Sequence, residues 1–196
     1  MKYYFFKDKQ LPLLDSLYEP REDSYLLAKT VKIQKGETTL DMGCGSGIQT
    51  INVLLQGAQA TAADVNEVAL KNTELCAYAL GFKKNLKLIH SNLFEKISIT
   101  EKFDTIVFNP PYVESHSLAI PEIDGGKKGR QILDKFLKQV PNYLNPKGSC
   151  YFLQSNLNGV KETEKKLAQL NFSFQIIAKE KIWFEELQVW KISANK

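Results

Sequence analysis

Hydrophobic and polar positions divide most of the chain into short strands and longer helices. Thr38-Thr39-Leu40-Asp41-Met42 reads as a strand running into the glycines Gly43, Gly45 and Gly47. Residues 48–56 then have helical character. Ala60-Thr61-Ala62-Ala63-Asp64 is a short buried strand, and Glu67 to Leu80 a helix that Gly81 stops. Leu86-Lys87-Leu88-Ile89-His90 alternates as a strand does. Phe103 to Phe108 is another strand, halted by Pro110-Pro111 because proline has no N–H to give the ladder. After a long loop, helical spacing spans about Arg130 to Leu144 and Val160 to Leu170, on either side of a strand at residues 149–153. Two late strands, around residues 172–178 and 187–192, follow with no convincing helix between them.

Strands alternating with helices of about 10–15 residues predict β-α-β units and a parallel sheet, and two strands joined directly predict an antiparallel hairpin at one edge. The expected fold is α/β: a doubly wound, mostly parallel sheet with a C-terminal antiparallel hairpin. Such a sheet binds ligands beyond the carboxyl ends of its strands, near the point where strand order reverses. No repeat, low-complexity tract or linker interrupts the 196 residues. One domain over residues 1–196 is expected, with residues 1–17 as a short hydrophobic N-terminal extension.

Composition narrows the class of protein. Cys44, Cys76 and Cys150 are odd in number, widely spaced and far in sequence from His90 and His116, so neither a disulfide framework nor a metal site is expected. A reducing cytoplasm fits that usage. The first residues return to charge at Lys7 and Asp8, too soon for a signal-peptide core. The uncharged stretch between Asp41 and Asp64 carries Gln49, Asn52, Gln56 and Gln59, which makes it a poor membrane span. Net charge is +4, and of 26 basic residues only Arg21 and Arg130 are arginine. Lysine lacks the planar fork that reads guanine edges, so sequence-specific DNA binding is disfavoured.

Glycines at alternate positions after Asp41 let the backbone turn tightly and come close to a ligand. A dinucleotide fingerprint needs a glycine where Ile48 stands, and a P-loop needs a Gly-Lys-Ser/Thr triplet that the chain lacks. What remains is G-x-G-x-G behind a carboxylate, with Asp64 ending the next strand. From about Tyr18 onward, the arrangement resembles the class I S-adenosylmethionine methyltransferases, which have a Rossmann-like fold. The resemblance implies that Gly43 and Gly45 accommodate the methionine moiety of S-adenosylmethionine. It implies too that Asp41 helps to hold the ammonium, directly or through water, and that Asp64 accepts the ribose hydroxyls. At the end of the third strand, Asn92 stands where the family usually has the aspartate that accepts from the adenine amino group. An amide oxygen can still accept that bond, and Leu93 would lie against the ring.

Asn109-Pro110-Pro111-Tyr112 resembles the (N/D/S)-P-P-(Y/F) signature of methyltransferases acting on planar nitrogens. Such a nitrogen is a poor nucleophile because its lone pair is delocalised, so positioning carries the reaction. Asn109 Oδ1 and the Pro110 carbonyl would accept its two N–H bonds, and Tyr112 would stack on the planar group. The catalytic candidates are therefore Asn109, Pro110 and Tyr112, with Pro111 completing the substrate-binding turn. An enzyme is expected, with Asn109 also bordering the cofactor.

Two further segments narrow the resemblance. Tyr18-Glu19-Pro20-Arg21-Glu22-Asp23-Ser24-Tyr25-Leu26-Leu27 is similar to the Y-E-P-x-E-D-[TS]-x-L-L entry of HemK-type release-factor glutamine methyltransferases, in the archaeal and eukaryotic branch. Gly125-Gly126-Lys127-Lys128-Gly129-Arg130 resembles the same family's G-G-x-x-G-R. The resemblance puts Ser24 near the cofactor; a hydroxyl there also suits the cap of the first helix. Only about seventeen residues precede Tyr18, as in the branch without an N-terminal helical domain. That branch methylates the glutamine of the Gly-Gly-Gln loop of class I release factors, some members with a small zinc-binding activator protein. An RNA methyltransferase acting on an adenine or guanine amino group would use the same tetrapeptide, although no arginine-aromatic stripe supports it. A non-catalytic binding module is the third reading, favoured only by Asn92. The roles of the two arginines and of the 113–124 loop stay open at this level.

Overall fold

The computed structural model describes residues 2–114 and 124–194; the greater part of the 113–124 loop lies outside them. In chain order the elements are β1 (Lys2–Phe6), β2 (Lys9–Leu13), α1 (Glu22–Thr30), β3 (Thr38–Met42), α2 (Ile48–Leu55), β4 (Gln59–Asp64), α3 (Glu67–Ala79), β5 (Leu86–His90) and β6 (Phe103–Phe108). They continue as α4 (Gln131–Gln139), β7 (Leu144–Ser155), α5 (Val160–Gln169), β8 (Phe172–Ile182) and β9 (Glu185–Ala194).

The seven-stranded sheet has the order β5-β4-β3-β6-β7-β9-β8. Neighbours from β5 through β7 pair in parallel, whereas β9 is antiparallel to both β7 and β8. This is the doubly wound sheet with a terminal hairpin that the alternation predicts. Strand order reverses between β3 and β6, the place where a ligand cleft forms in such sheets.

Both sheet faces are buried, and the period of two along each strand shows it. Val107, Tyr151, Leu153 and Val189 face one core, with Leu27, Ile51, Leu54 and Ala77 of α1, α2 and α3. Ile106, Phe108, Phe152 and Trp190 face the other, with Leu133, Phe136 and Leu167 of α4 and α5. In the second core the Phe94 ring stacks on Tyr143 at 4.2 Å between centroids, and Phe108 meets Phe136 at 4.4 Å. A fully buried Phe of this kind contributes roughly 1.5–3 kcal/mol relative to an exposed one.

The N-terminal extension has a structure that its composition did not announce. β1 and β2 form a separate antiparallel hairpin whose alternate residues Tyr4, Phe6, Leu11 and Leu13 enter the first core. Pro12 is tolerated because the two-stranded hairpin leaves one side of each strand without a ladder.

Both late strands run longer than expected, to Ile182 and from Glu185 to Ala194, and two further boundaries differ from the sequence reading. The helix expected to reach Leu144 ends at Gln139 and tightens into a 3₁₀ turn over Val140–Asn142, because Pro141 brings no N–H and suits a new first turn. The strand expected at 149–153 begins at Leu144, which pairs with Phe103. Residues 145–148 then bulge before Ser149 pairs with Thr105, so Pro146 and Gly148 sit in the irregularity that disguised the strand.

Candidate active site

A cleft of about 790 Å³ opens at the carboxyl ends of β3, β4, β5 and β6, large enough for a nucleoside-sized ligand beside an acceptor group. Its wall brings together Ser24, Gly43, Gly45, Asp64, Asn92, Leu93, Asn109, Pro110, Pro111 and Tyr112. These come from five separate stretches of sequence. Asp41, the remaining candidate, is buried behind the wall.

The glycine loop is built by the fold around it. Gly47 has φ +85°, and a Cβ there would stand 2.9 Å from Thr73 Oγ1 and 3.1 Å from Thr73 Cα, so the loop lies directly on α3. The Ser46 carbonyl accepts from Tyr4 Oη at 3.1 Å and from Asn72 Nδ2 at 2.9 Å. The N-terminal hairpin and α3 thus hold the same turn. Across the loop, Asp64 Oδ2 accepts from Gly45 N at 3.0 Å, while its Oδ1 accepts from Asn66 N at 2.9 Å. Burial raises the Asp64 pKa, and the loop N–H groups work against that rise.

Asp41 does more than end a strand. Its Oδ2 accepts from Thr50 N at 2.9 Å and Thr50 Oγ1 at 2.6 Å, in the first turn of α2. Gly47 at the N-cap has no side chain to cap that helix, so a carboxylate from β3 supplies the bond and the favourable charge. The other oxygen, Oδ1, is buried without a partner. Burial pushes the Asp41 carboxyl up to about 7.

At the end of β5, Asn92 is exposed and gives its Nδ2 to Glu95 Oε1 at 2.9 Å, which leaves its carbonyl oxygen to accept. Leu93 holds φ +48°, steadied by Ser91 Oγ donating to its carbonyl at 2.8 Å.

The expected cap of the first helix is corrected. The helix starts at Glu22 after Arg21, with no side-chain cap bond. Ser24 sits inside the first turn, and its hydroxyl donates to Asp23 Oδ1 at 3.3 Å. Ser24 is placed by the cleft, since its carbonyl accepts from Gln49 Nε2 at 2.9 Å and ties α1 to α2.

Asn109 gives its Nδ2 to Asp23 Oδ2 at 3.0 Å and to Ser24 Oγ at 3.4 Å, while its Oδ1 is buried without a partner. A carboxylate can only accept, so Asp23 dictates which end of the amide faces it. Tyr112 is half-buried. Its hydroxyl is pushed far above the usual range by burial, with the Asp23 charge adding to the effect, so it stays a neutral phenol.

The stretch after the tetrapeptide explains the glycine-arginine motif. Gly129, at φ +62°, lies so close against the Tyr112 carbonyl that no Cβ fits. Asn158 Nδ2 donates to that same carbonyl at 2.9 Å. Arg130 is buried and points away from the cleft: its Nε and Nη2 grip Asp134 at 3.0 and 2.9 Å, and its Nη1 holds the carbonyls of Asn158 and Gly159. One arginine is therefore a structural clamp behind the Pro110–Tyr112 turn. The other, Arg21, is exposed and lies over the Tyr18 ring at 5.9 Å.

Two residues of this site escaped the sequence reading. Asp23 is legible only as one letter of the Y-E-P-x-E-D match, with no role of its own, because its partner Asn109 lies 86 residues away. Asn158 belongs to no recognised motif, and an Asn-Gly pair after a strand signals only a turn. Among the described residues no group of three or more His, Cys, Asp and Glu could hold a metal ion, and no helix is long and apolar enough to cross a membrane.

Comparison with known proteins gives a consistent result. The family described as Methyltransferase small domain matches residues 19–183. A Methanocaldococcus jannaschii protein, provisionally named a protein N5-glutamine methyltransferase, is 39% identical over 193 residues, covering 93% of this chain and 96% of the relative. Human methyltransferase HEMK2 is 31% identical over 166 residues, 76% of each chain. Among solved structures, the E. cuniculi Mtq2–Trm112 complex, responsible for methylation of the termination factor eRF1, aligns with TM-score 0.73 and 26% identity. That alignment covers 92% of this chain and 99% of the other.

Proposed function

The chain belongs to the Methyltransferase small domain family and is an S-adenosylmethionine-dependent methyltransferase, and from there we propose that it methylates the side-chain amide nitrogen of a protein glutamine. The observation that carries this reading is the Asn109 amide, its nitrogen committed to Asp23 and its buried oxygen unpartnered. A lone acceptor in a cleft suits a donor N–H from outside, as an amide or amino group would bring.

The residues present suit S-adenosylmethionine on physical grounds. The cleft has the volume, Gly43 is exposed to it beside the Gly45–Asp64 turn, and Asp41 Oδ1 is an orphaned buried acceptor. Bound there, the cofactor supplies a sulfonium methyl open to displacement. Gly43 and Gly45 give its methionine moiety room, Asp41 answers its ammonium from behind the loop, and Asp64 accepts from the ribose. Asn92 accepts from the adenine amino group, Leu93 packs on the ring, and Ser24 borders the methionine end.

On the acceptor side, Asn109 Oδ1 and the Pro110 carbonyl take the two N–H bonds of the planar nitrogen, while Pro111 shapes the turn and Tyr112 covers the flat face. Fixing the nitrogen in this way lets orientation carry much of the barrier, an effect worth roughly 7–11 kcal/mol in well-held reactants, and the proton that the methylated nitrogen sheds passes to bulk water. A neutral Tyr112 is suited to stacking on a neutral amide, since an ionised phenol would need solvation.

The substrate we assign is the Gly-Gly-Gln glutamine of a class I release factor. Support comes from the M. jannaschii relative, whose provisional name specifies protein N5-glutamine, and from the eRF1-methylating complex. That complex is also the ground for proposing a small activator subunit. Residues 2–17 act with the rest as one domain, because Leu11 and Leu13 share a core with α2 and α3. Three free, buried cysteines suit the cytoplasm.

The test uses labelled S-adenosylmethionine with a class I release factor and bulk RNA in one reaction. Label is expected in the protein fraction, on glutamine, and absent with Asn109→Ala at unchanged cofactor affinity. Label in RNA would replace the glutamine reading with a nucleobase one. Asp64→Ala should do the reverse of Asn109→Ala, weakening cofactor binding first.

A further inference from the structure

At the turn between β8 and β9, Trp183 is 91% exposed and Phe184 is 85% exposed. Ile182 pairs with Glu185, so these two aromatics are the whole turn. Trp183 has φ 52°, a left-handed conformation that a two-residue hairpin usually fills with glycine or asparagine. A tryptophan here gives up both backbone ease and burial, and the fold returns neither. The chain's other tryptophan, Trp190, is fully buried.

The turn stands beside the acceptor half of the cleft. β9 runs antiparallel to β7 with Leu187 opposite Ser155, so the turn projects past the carboxyl end of β7. β7 is parallel to β6, which makes this the edge of the sheet where Asn109 emerges. Short bonds fix the tip to that edge. Ser155 Oγ donates to Glu185 Oε2 at 2.7 Å, Asn156 N to the Glu186 carbonyl at 2.9 Å, and Glu186 N to Asn156 Oδ1 at 2.8 Å. Two residues further, Asn158 holds the Tyr112 carbonyl. Leu157, 59% exposed, lies in the same connection, and Val113, 46% exposed, follows Tyr112 directly.

We infer that Trp183 and Phe184 are docking anchors for the body of the acceptor protein, seating an apolar patch of it while its glutamine side chain enters the cleft. The inference rests on the glutamine reading above. Its ground is continuity: a protein bound through a side chain in the mouth extends over the edge from which the tip projects. The charges around the tip favour a protein over RNA, because Lys179 is paired with Glu186 at 2.8 Å and Glu180 and Glu185 offset Lys181. Paired, exposed aromatics are the residue type that carries binding energy at protein interfaces.

The test compares the unaltered protein with W183S/F184S, with and without a co-expressed small activator. The acceptors are an intact class I release factor and a pentapeptide containing Gly-Gly-Gln, too short to reach the tip. The double variant should raise KM for the intact factor by about tenfold or more. It should leave kcat at saturation, the S-adenosylmethionine affinity and turnover of the pentapeptide as they are. An unchanged KM for the intact factor overturns the docking surface while methyl transfer to glutamine stands. An equal loss on the pentapeptide overturns it as well, since the aromatics would then be shaping the cleft. No transfer to the factor by the unaltered protein overturns the glutamine reading, and the docking inference falls with it.

Discussion

A primary amide turned end for end exchanges a donor for an acceptor at almost no steric cost, so the direction of Asn109 has to be imposed from outside. Asp23 imposes it, through the bond from Asn109 Nδ2. Asp23→Leu should therefore lower kcat by about 100-fold, the scale of a misplaced reacting group, with cofactor affinity retained. Asp23→Asn, which keeps an acceptor in one of its two rotations, should recover part of the loss. If calorimetry shows cofactor affinity falling in step with kcat, Asp23 is a cofactor ligand and not an orienting group. Asp41 poses a second question at this scale, because burial raises its carboxyl to about 7. An unfolded aspartate ionises near 4. Between about 4 and 7 the native protein thus holds a proton the unfolded chain has lost, so this group's contribution to stability falls as pH rises through that window and is level above it. Asp41→Asn keeps an acceptor for Thr50 and has no charge to desolvate. In the absence of cofactor its stability relative to the unaltered protein should improve from pH 4 to 8, by up to about 4 kcal/mol. Parallel stability curves for the two proteins would show that Asp41 does not titrate in this range.

Strands bounded by strong punctuation are legible to the residue: β3 runs into glycines, β5 alternates cleanly, and β6 stops at a proline pair. Elements whose cues conflict are not. β7 hides its start because Pro146 and Gly148 look like a turn but occupy a bulge. α4 reads too long because the apolar spacing continues through Val140 and Tyr143, past the end at Gln139 that Pro141 imposes. The residues of the candidate site were mostly visible because they end strands, and strand ends meet at one edge of the sheet. What local pattern cannot carry is the side-chain direction that long-range bonds impose, which is why Asp23, Asn158 and the inward turn of Arg130 emerge only from the fold. The element around Gly129 gives a prediction of its own. With φ +62° and the Tyr112 carbonyl where a Cβ would go, Gly129→Ala should cost about 1–3 kcal/mol from strain and overlap. The relaxation it forces would move Tyr112, so kcat should fall further than the loss in Tm explains, with cofactor affinity kept. Full activity at a lowered Tm would show that the acceptor turn tolerates the shift.

Across the whole molecule, the two ends of the cleft, which we propose hold the methyl donor and its acceptor, hang on different supports. The acceptor turn is propped by Asn158, Gly129 and Arg130 on the β7 side. The glycine loop is propped by α3 and the N-terminal hairpin, which meet at one carbonyl, that of Ser46. Tyr4→Phe removes one buried hydroxyl with almost no change of shape. It should cost about 0.5–1.5 kcal/mol of stability and weaken S-adenosylmethionine binding severalfold, with kcat at saturating cofactor unchanged. Asn109→Ala should do the opposite, and because the two residues share no partner, the losses should multiply in the double variant. The Tm readout carries the same information, since a ligand at a hundred times its Kd stabilises by about 2.7 kcal/mol and a weaker Kd gives a smaller upward shift at fixed concentration. If Tyr4→Phe lowers Tm yet leaves the Kd from calorimetry unmoved, the hairpin only covers the core. If both move, the first residues of the chain set the shape of the cofactor loop.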